Sequence, residues 1–320
     1  MKISLITPAK KYSKSGNRTT ALRWAKILRT GGHRVRVEVD YNGEDTDLMI
    51  AIHAWHSAPA IKRYRARFSD GPLVVGLGGT DINTFLKTQP KTTLRSMEMA
   101  DVLICLHDLI GKELPLALRG KLHVIRQSAM PLASPRHPAQ KNFDICVIGH
   151  LRDEKDPFRT ALAARLLPPS SRIRVIHLGK ATTPDFHTQA NAEMTNNPRY
   201  HWQGEVPGWR VRRELSKTRL MVISSTQEGG ANVISEAIVA DVPIIASDIA
   251  GNVGLLGDDY PGYYPVGDEA QLAHLLDRAE TDAAFLETLT RHGQMLKAKF
   301  EPAHEQKALL RIINSIARPA

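Results

Sequence analysis

Ser224-Ser225-Thr226-Gln227-Glu228-Gly229-Gly230-Ala231-Asn232-Val233-Ile234-Ser235-Glu236-Ala237-Ile238 carries two periodicities joined by a turn. The run that leads into it, Arg219-Leu220-Met221-Val222-Ile223, reads as a short buried strand ending in polar turn residues. Beyond the turn, Val233, Ile234, Ala237, Ile238 and Ala240 fall at the spacing of one buried helix face. A glycine-rich turn between strand and helix leaves backbone N–H groups at the positive end of the helix dipole, where phosphate binds well. Gly229, Gly230, Ala231 and Asn232 occupy that turn. Glu228 stands before it, and Glu236 eight positions later reaches a neighbouring face. Carboxylates are poor phosphate ligands but suit hydroxyl groups, such as a sugar and a ribose present. The plainer reading is a helix start with one solvated Glu.

The next segment, Asp241-Val242-Pro243-Ile244-Ile245-Ala246-Ser247, is another buried strand, followed by a turn bearing Asp248, Gly251 and Asn252. The pair of glutamates, the Pro-Ile-Ile-Ala-Ser strand and the glycine turn together resemble the nucleotide-sugar site of retaining GT-B glycosyltransferases of the GT4 type. That family usually has Gly-Phe-Gly after its first Glu, where Gly229-Gly230-Ala231-Asn232 stands here. A second motif lies at Gly149-His150-Leu151-Arg152-Asp153-Glu154-Lys155. It resembles the family's Gly-Arg-Leu-x-x-x-Lys turn, with His150 in the arginine position and Arg152 close by. Without the resemblance it reads as a charged, solvated turn.

The resemblance implies that Lys155, Arg152 and His150, with the N–H groups from Gly229 to Asn232, hold the donor diphosphate. It implies that Glu236 binds the ribose hydroxyls and Glu228 the donor sugar. Tyr200 to Pro207, including Val206, would lie near the base, and Gly251 and Asn252 beside the donor. A His next to a diphosphate is expected to be protonated and to act as a cation. The segment from Gly251 to Gly257 is expected to be a flexible loop.

The first half alternates strand and helix, as a doubly wound parallel sheet does. Lys2 to Ile6 is a strand stopped by Pro8; a loop with Lys10, Lys11 and Lys14 leads to Gly16-Asn17-Arg18, which opens a helix ended by Gly31-Gly32. This second strand-to-helix turn can also meet an anion, though its lysines equally suit a solvated loop. His53 and His56 follow the strand Leu48 to Ile52, where ligands of open α/β sheets bind, or form a structural pair. Thr80 and Asp81 follow Leu73 to Leu77; they read as a helix cap or as residues of the cleft edge. Met130 to Gln140, with three prolines, is expected to link two domains. The expected architecture is GT-B: two Rossmann-like doubly wound α/β domains, 1–132 and 133–302, facing a central cleft, with a C-terminal helix, 303–320, crossing back.

The turns at Gly16, His53, Gly78 and Gly149, and the run from Gly251 to Pro265, resemble one subfamily more closely, the selenosugar synthases of selenoneine biosynthesis. The implied reaction joins selenophosphate to the sugar of a UDP-sugar such as UDP-N-acetylglucosamine, forming a carbon–selenium bond. Ionised selenophosphate needs cations rather than a base, and Lys10, Arg18, His53 and His56 are candidates, with Gly16, Asn17, Thr80 and Asp81 around them. Two other readings stay open: a glycosyltransferase with a hydroxyl acceptor, and a nucleotide-sugar-binding protein without turnover.

Composition bounds these readings. A formal net charge of +10 predicts affinity for anions. Scattered arginines, 6% aromatic residues and the lack of any nucleic-acid motif argue for small phosphorylated ligands over nucleic acid. No apolar run reaches the roughly 20 residues that span a bilayer, so no membrane partner is expected. No secretory signal is legible, and the two cysteines, Cys105 and Cys146, lie in apolar runs, so a cytoplasmic protein with reduced thiols is expected. No metal-ligand spacing occurs, and no cofactor beyond the UDP-sugar is expected.

Overall fold

The computed structural model describes residues 1–13 and 15–316. Lys14 of the basic loop, and 317–320 of the segment expected to close the chain, lie outside the described residues. Among the described residues two six-stranded sheets form. The first holds β1 (Lys2–Ile6), β2 (Arg34–Glu38), β3 (Leu48–Ile52), β4 (Leu73–Gly76), β5 (Val102–Cys105) and β6 (Leu122–Val124), in the order β2-β1-β3-β4-β5-β6. The second holds β7 (Phe143–Ile148), β8 (Ile173–Leu178), β9 (Tyr200–Trp202), β10 (Leu220–Ile223), β11 (Ile244–Ser247) and β12 (Tyr263–Tyr264), ordered β12-β11-β10-β7-β8-β9. Neighbouring strands pair in parallel throughout. Helices cover both faces of a parallel sheet, so its strands are apolar without alternation; Leu-Met-Ile-Ala-Ile of β3 is buried at every position.

The chain divides into two compact units, Met1–Gln127 joined by the segment from Pro302, and Ser128–Glu301. In the first unit, helix α1 (Gly16–Thr30) lays Trp24 across β4 at Gly76, where a Cβ would stand only 3.2 Å from the indole. The helix Pro302–Ile316 packs on α1 through the fully buried Glu305. Its carboxylate accepts from Arg23 Nε at 3.0 Å and Trp24 Nε1 at 3.0 Å.

Several local expectations change. The proline-rich run Met130 to Gln140 is not a free linker, because it packs as an irregular strap on the second unit. Arg136 donates to the carbonyls of Asp241 and Thr218, while His137 and Ala139 donate backbone N–H to Ser216 and Lys217. The expected flexible loop from Gly251 is a helix, Ala250–Leu256, because Asn252, Leu255 and Leu256 find burial and Gly257, at φ 95°, stops it. Cys105 and Cys146 are free and buried, and burial pushes both thiols up to about 12, so neither is a nucleophile at neutral pH.

Candidate active site

A parallel sheet leaves a crevice where the chain builds strands first to one side and then to the other, because the two loops diverge there. In the second sheet that point lies between β7 and β10, and both motifs leave the carboxyl ends of these strands. The turn after β7 is a short 3-10 segment, Asp153–Lys155, closed by Asp156 in the left-handed region at φ 42°. The loop after β10 clasps it. Ser224 Oγ donates to the carbonyls of Lys155 and Asp156 at 3.0 and 2.9 Å, and the Thr226 N–H donates to the Glu154 carbonyl at 2.9 Å. Two segments some seventy residues apart in sequence are thereby held as one surface.

On that surface Lys155 Nζ bonds the Glu228 carboxylate, and Ser225 Oγ donates to the same oxygen at 2.7 Å. A polar chain supports the pair from behind: Asn252 Nδ2 donates to the Ser247 carbonyl at 2.9 Å, and Ser247 Oγ donates to the Ser225 carbonyl at 2.6 Å. Gly251 is needed at its position because a Cβ there would lie 2.5 Å from the Glu228 carbonyl oxygen. The sequence reading places Gly251 and Asn252 beside the donor; both are buried, Gly251 against the Glu228 backbone and Asn252 against Ser247. Gly230, at φ 122°, turns the chain into the helix Asn232–Val239, whose N-cap Ala231 has no side-chain oxygen to occupy the first N–H groups. Glu236 is half-buried on this helix.

Beneath the two loops lies a cavity of about 20 Å³ lined by Gly149, Lys155, His177, Ser224 and Ser225, room for one water. His177 Nε2 donates to the Gly149 carbonyl at 3.1 Å and Nδ1 accepts from Tyr200 Oη at 2.8 Å. Burial pushes this imidazole down to about 4, so it stays neutral. His150 differs from its expected role as a cation. Burial, helped by Arg152, Lys155 and Lys180, outweighs Glu205 and lowers its pKa. Its Nδ1 accepts the Lys180 N–H at 3.1 Å, which leaves Nε2–H as the neutral donor. Arg152 pairs with Glu154 at 3.2 Å with its side chain 45% exposed, so its charge remains open to a ligand. Val206 is half-buried in the segment after β9.

The first sheet has its own reversal, between β1 and β3. A pocket of about 640 Å³ opens there, lined by Pro8, Ala9, Lys10, Tyr12, Ser13, Ser15, Asn17 and His56. Lys10 contributes an ammonium to it, and Gly16 leaves open space at the start of α1. Arg18 is buried with Nε lacking a hydrogen-bond partner. Burial and the neighbouring His53 lower the pKa of His56 despite Asp81, so His56 is a neutral lining group rather than the expected cation. Asp81 is not on a cleft edge. It is fully buried, and its carboxylate accepts from the N–H groups of Gly78 at 2.8 Å, Ala54 at 2.8 Å and Trp55 at 2.9 Å. It also meets His53 Nδ1 at 2.8 Å. His53 adopts φ 77°, a conformation that costs a non-glycine residue about 1 kcal/mol or more. Its Nε2 lies 2.7 Å from the hydroxyl of Thr80, which is exposed.

Sequence reasoning missed Ser225 and Ser247 because serine in a turn has a sufficient local explanation. It also missed the stacked rings of Trp55 and Phe85, with centroids 4.0 Å apart, because a π-helical turn, Asp81–Phe85, brings Phe85 round and has no sequence signature. Among the described residues no group of three or more His, Cys, Asp or Glu could hold a metal ion, and no helix is long and apolar enough to cross a membrane.

Comparison with known proteins places this geometry. Among solved structures, Anabaena HepE in complex with UDP superposes with a TM-score of 0.80 at 15% identity, covering 98% of this chain and 100% of that one. Sucrose-phosphate synthase from Thermosynechococcus elongatus gives 0.75 at 16% identity, with 98% of each chain covered. The fold is therefore GT-B, two Rossmann-like parallel α/β domains with a helical C-terminus. In sequence, the chain is 24% identical over 274 residues to the glycosyltransferase 1 domain-containing protein 1 of Xenopus tropicalis, covering 78% of this chain and 79% of that protein. It is 25% identical over 300 residues to the putative teichuronic acid biosynthesis glycosyltransferase TuaC of Bacillus subtilis, covering 86% and 69%. Residues 133–295, which hold Gly149, Lys155, Glu228 and Glu236, match the family model described as glycosyl transferases group 1. The chain belongs to the group 1 glycosyltransferase family.

Proposed function

We propose that this enzyme transfers the sugar of a UDP-sugar, N-acetylglucosamine in the first instance, to selenophosphate. Selenium attacks the anomeric carbon, the bond from that carbon to the diphosphate oxygen breaks, and its electron pair leaves with UDP. Water then attacks phosphorus, the phosphorus–selenium bond breaks, and phosphate and a selenol remain. The observation that carries the donor half is the Lys155–Glu228–Ser225 contact at the reversal point of the second sheet. Lys155 and Arg152 balance the charge that develops on the diphosphate, as do the N–H groups at Gly230, Ala231 and Asn232; neutral His150 adds a hydrogen bond. Glu236 takes the ribose hydroxyls and Glu228 a hydroxyl of the sugar. HepE, a structural neighbour, has been solved with UDP-glucose, which supports a UDP-sugar as donor.

The acceptor half rests on the resemblance of the short motifs at Gly16, His53, Gly78 and Gly149 to selenosugar synthases. Lys10 in the first-unit pocket and the buried Arg18 supply cations for a dianion, and an ionised selenium nucleophile needs no base to attack. The test is competitive. Purified protein is given UDP-N-acetylglucosamine with selenophosphate, or with a panel of hydroxyl acceptors, and UDP release is followed. Release that depends on selenophosphate supports the reading; release that is equal without it assigns another acceptor or hydrolysis.

A further inference from the structure

We propose that the second unit carries a further binding site for a nucleoside phosphate, a cleft beside the helix Gly208–Lys217 in which Trp209 stacks on the base while Arg213 and Lys217 hold the phosphates. The cleft measures about 360 Å³, within the usual range of small-ligand sites, and is lined by Gln203, Trp209, Arg210, Arg213, Glu214 and Lys217. It shares no residue with the cavity beneath the donor loops.

Helix geometry builds the site. Trp209, Arg213 and Lys217 stand four positions apart, so they form one stripe along the helix, and Arg210 flanks it. At about 1.5 Å per residue the stripe runs about 12 Å, which separates a base at one end from phosphates at the other. These charges are not spent inside the protein. Arg212 donates to the carbonyls of Met130 and Pro131, whereas among the described residues the side chains of Arg213 and Lys217 make no hydrogen bond or ion pair. Arg210 donates to Gln203 Oε1 at 2.5 Å, so the amide nitrogen of Gln203 is the end left to donate to a base carbonyl. Glu214 is the one acidic group of the lining. Burial, with Asp144 nearby, raises its pKa against the pull of Lys217, Arg174 and Arg210, and three cations outnumber it around the cleft.

The indole decides the class of ligand. Trp209 is 64% exposed, and its ring offers a face on which any base can stack. Guanidinium groups match phosphate oxygens in pairs. An inorganic anion would leave the indole unused, and a lipid surface does not need a concave site sized for one small molecule. The site stands independently of the proposed reaction.

The test uses the full-length protein and ADP, whose base differs from that of the proposed donor. Calorimetric titration should show a saturable ADP site whose affinity falls at least tenfold in Trp209→Ala and in the double variant Arg213→Ala, Lys217→Ala, and is unchanged in Lys155→Ala. Adenosine and pyrophosphate, each carrying part of the ligand, should bind at least tenfold more weakly than ADP. The three substituted cleft side chains are exposed, so these variants should melt with wild type. ADP affinity unchanged in both cleft variants overturns the proposal, as does its loss in Lys155→Ala, which would put ADP in the donor site. Pyrophosphate binding as tight as that of ADP overturns the role of the ring and leaves a plain anion patch. Wild type without a saturable ADP site also overturns it, and Trp209-dependent binding to phosphatidylglycerol vesicles would then assign the face to a lipid surface.

Discussion

Ser225 spends its hydroxyl on Glu228 Oε1 at 2.7 Å, and its carbonyl is held by Ser247 Oγ at 2.6 Å. A hydrogen bond to a charged group is worth about 1.5–3 kcal/mol. Ser225→Ala should therefore lower kcat/KM for the UDP-sugar about tenfold or more while leaving the melting temperature nearly unchanged; a wild-type value would remove Ser225 from the positioning of Glu228. Gly251→Ala tests the same carboxylate from the other side. The added Cβ would lie 2.5 Å from backbone rather than from a side chain that can swing away, so the helix from Ala250 must shift. Overpacking of this kind costs about 1–3 kcal/mol, measurable by urea unfolding, and donor affinity should fall with it.

At the scale of elements, two imidazoles tie β-strand ends to pH. His177 joins the Gly149 carbonyl of the donor turn to Tyr200, and His107 follows β5; burial pushes both down to about 4. An unfolded histidine titrates near 6.5, so between these values the unfolded chain binds more protons than the folded one. Stability is complete above that upper value and is lost as pH falls toward 4, by about 3 kcal/mol for each group. His177→Gln should flatten the pH dependence of urea unfolding in the second unit, and an unchanged slope would contradict the assignment. The helix Pro302–Ile316 is anchored by Glu305, since removing one partner of a buried charged contact costs about 3–5 kcal/mol. Glu305→Ala should lower the unfolding midpoint of the first unit.

The strands and the central helix were legible in the sequence because parallel sheets demand unbroken apolar runs, as in Leu48 to Ile52 and Leu220 to Ile223. The Gly251 helix was not, because two glycines within seven residues mimic a loop, and only the Glu228 backbone explains why one of them is required. Glu228 and Lys155 stood out by motif. Their contact did not, since it depends on a clasp between loops far apart in the chain. Asp81 looked like a helix cap because its three N–H donors come from Gly78, Ala54 and Trp55, and two of these precede it by more than twenty-five residues.

For the whole molecule, a net charge of +10 favours small anionic substrates over neutral ones. UDP affinity should weaken from low to high salt, as screening removes part of the attraction of Lys155 and Arg152. Membership of the group 1 glycosyltransferases sets the reaction class, and the acceptor is what distinguishes the proposal from its relatives. The most direct measurement is the mass of the product formed from UDP-N-acetylglucosamine and freshly made selenophosphate, with Glu228→Gln alongside. The account predicts an N-acetylhexosamine selenol, with the selenium isotope pattern, in step with UDP release and nearly absent from the variant. UDP release with selenium found only in selenophosphate and its breakdown products would contradict it.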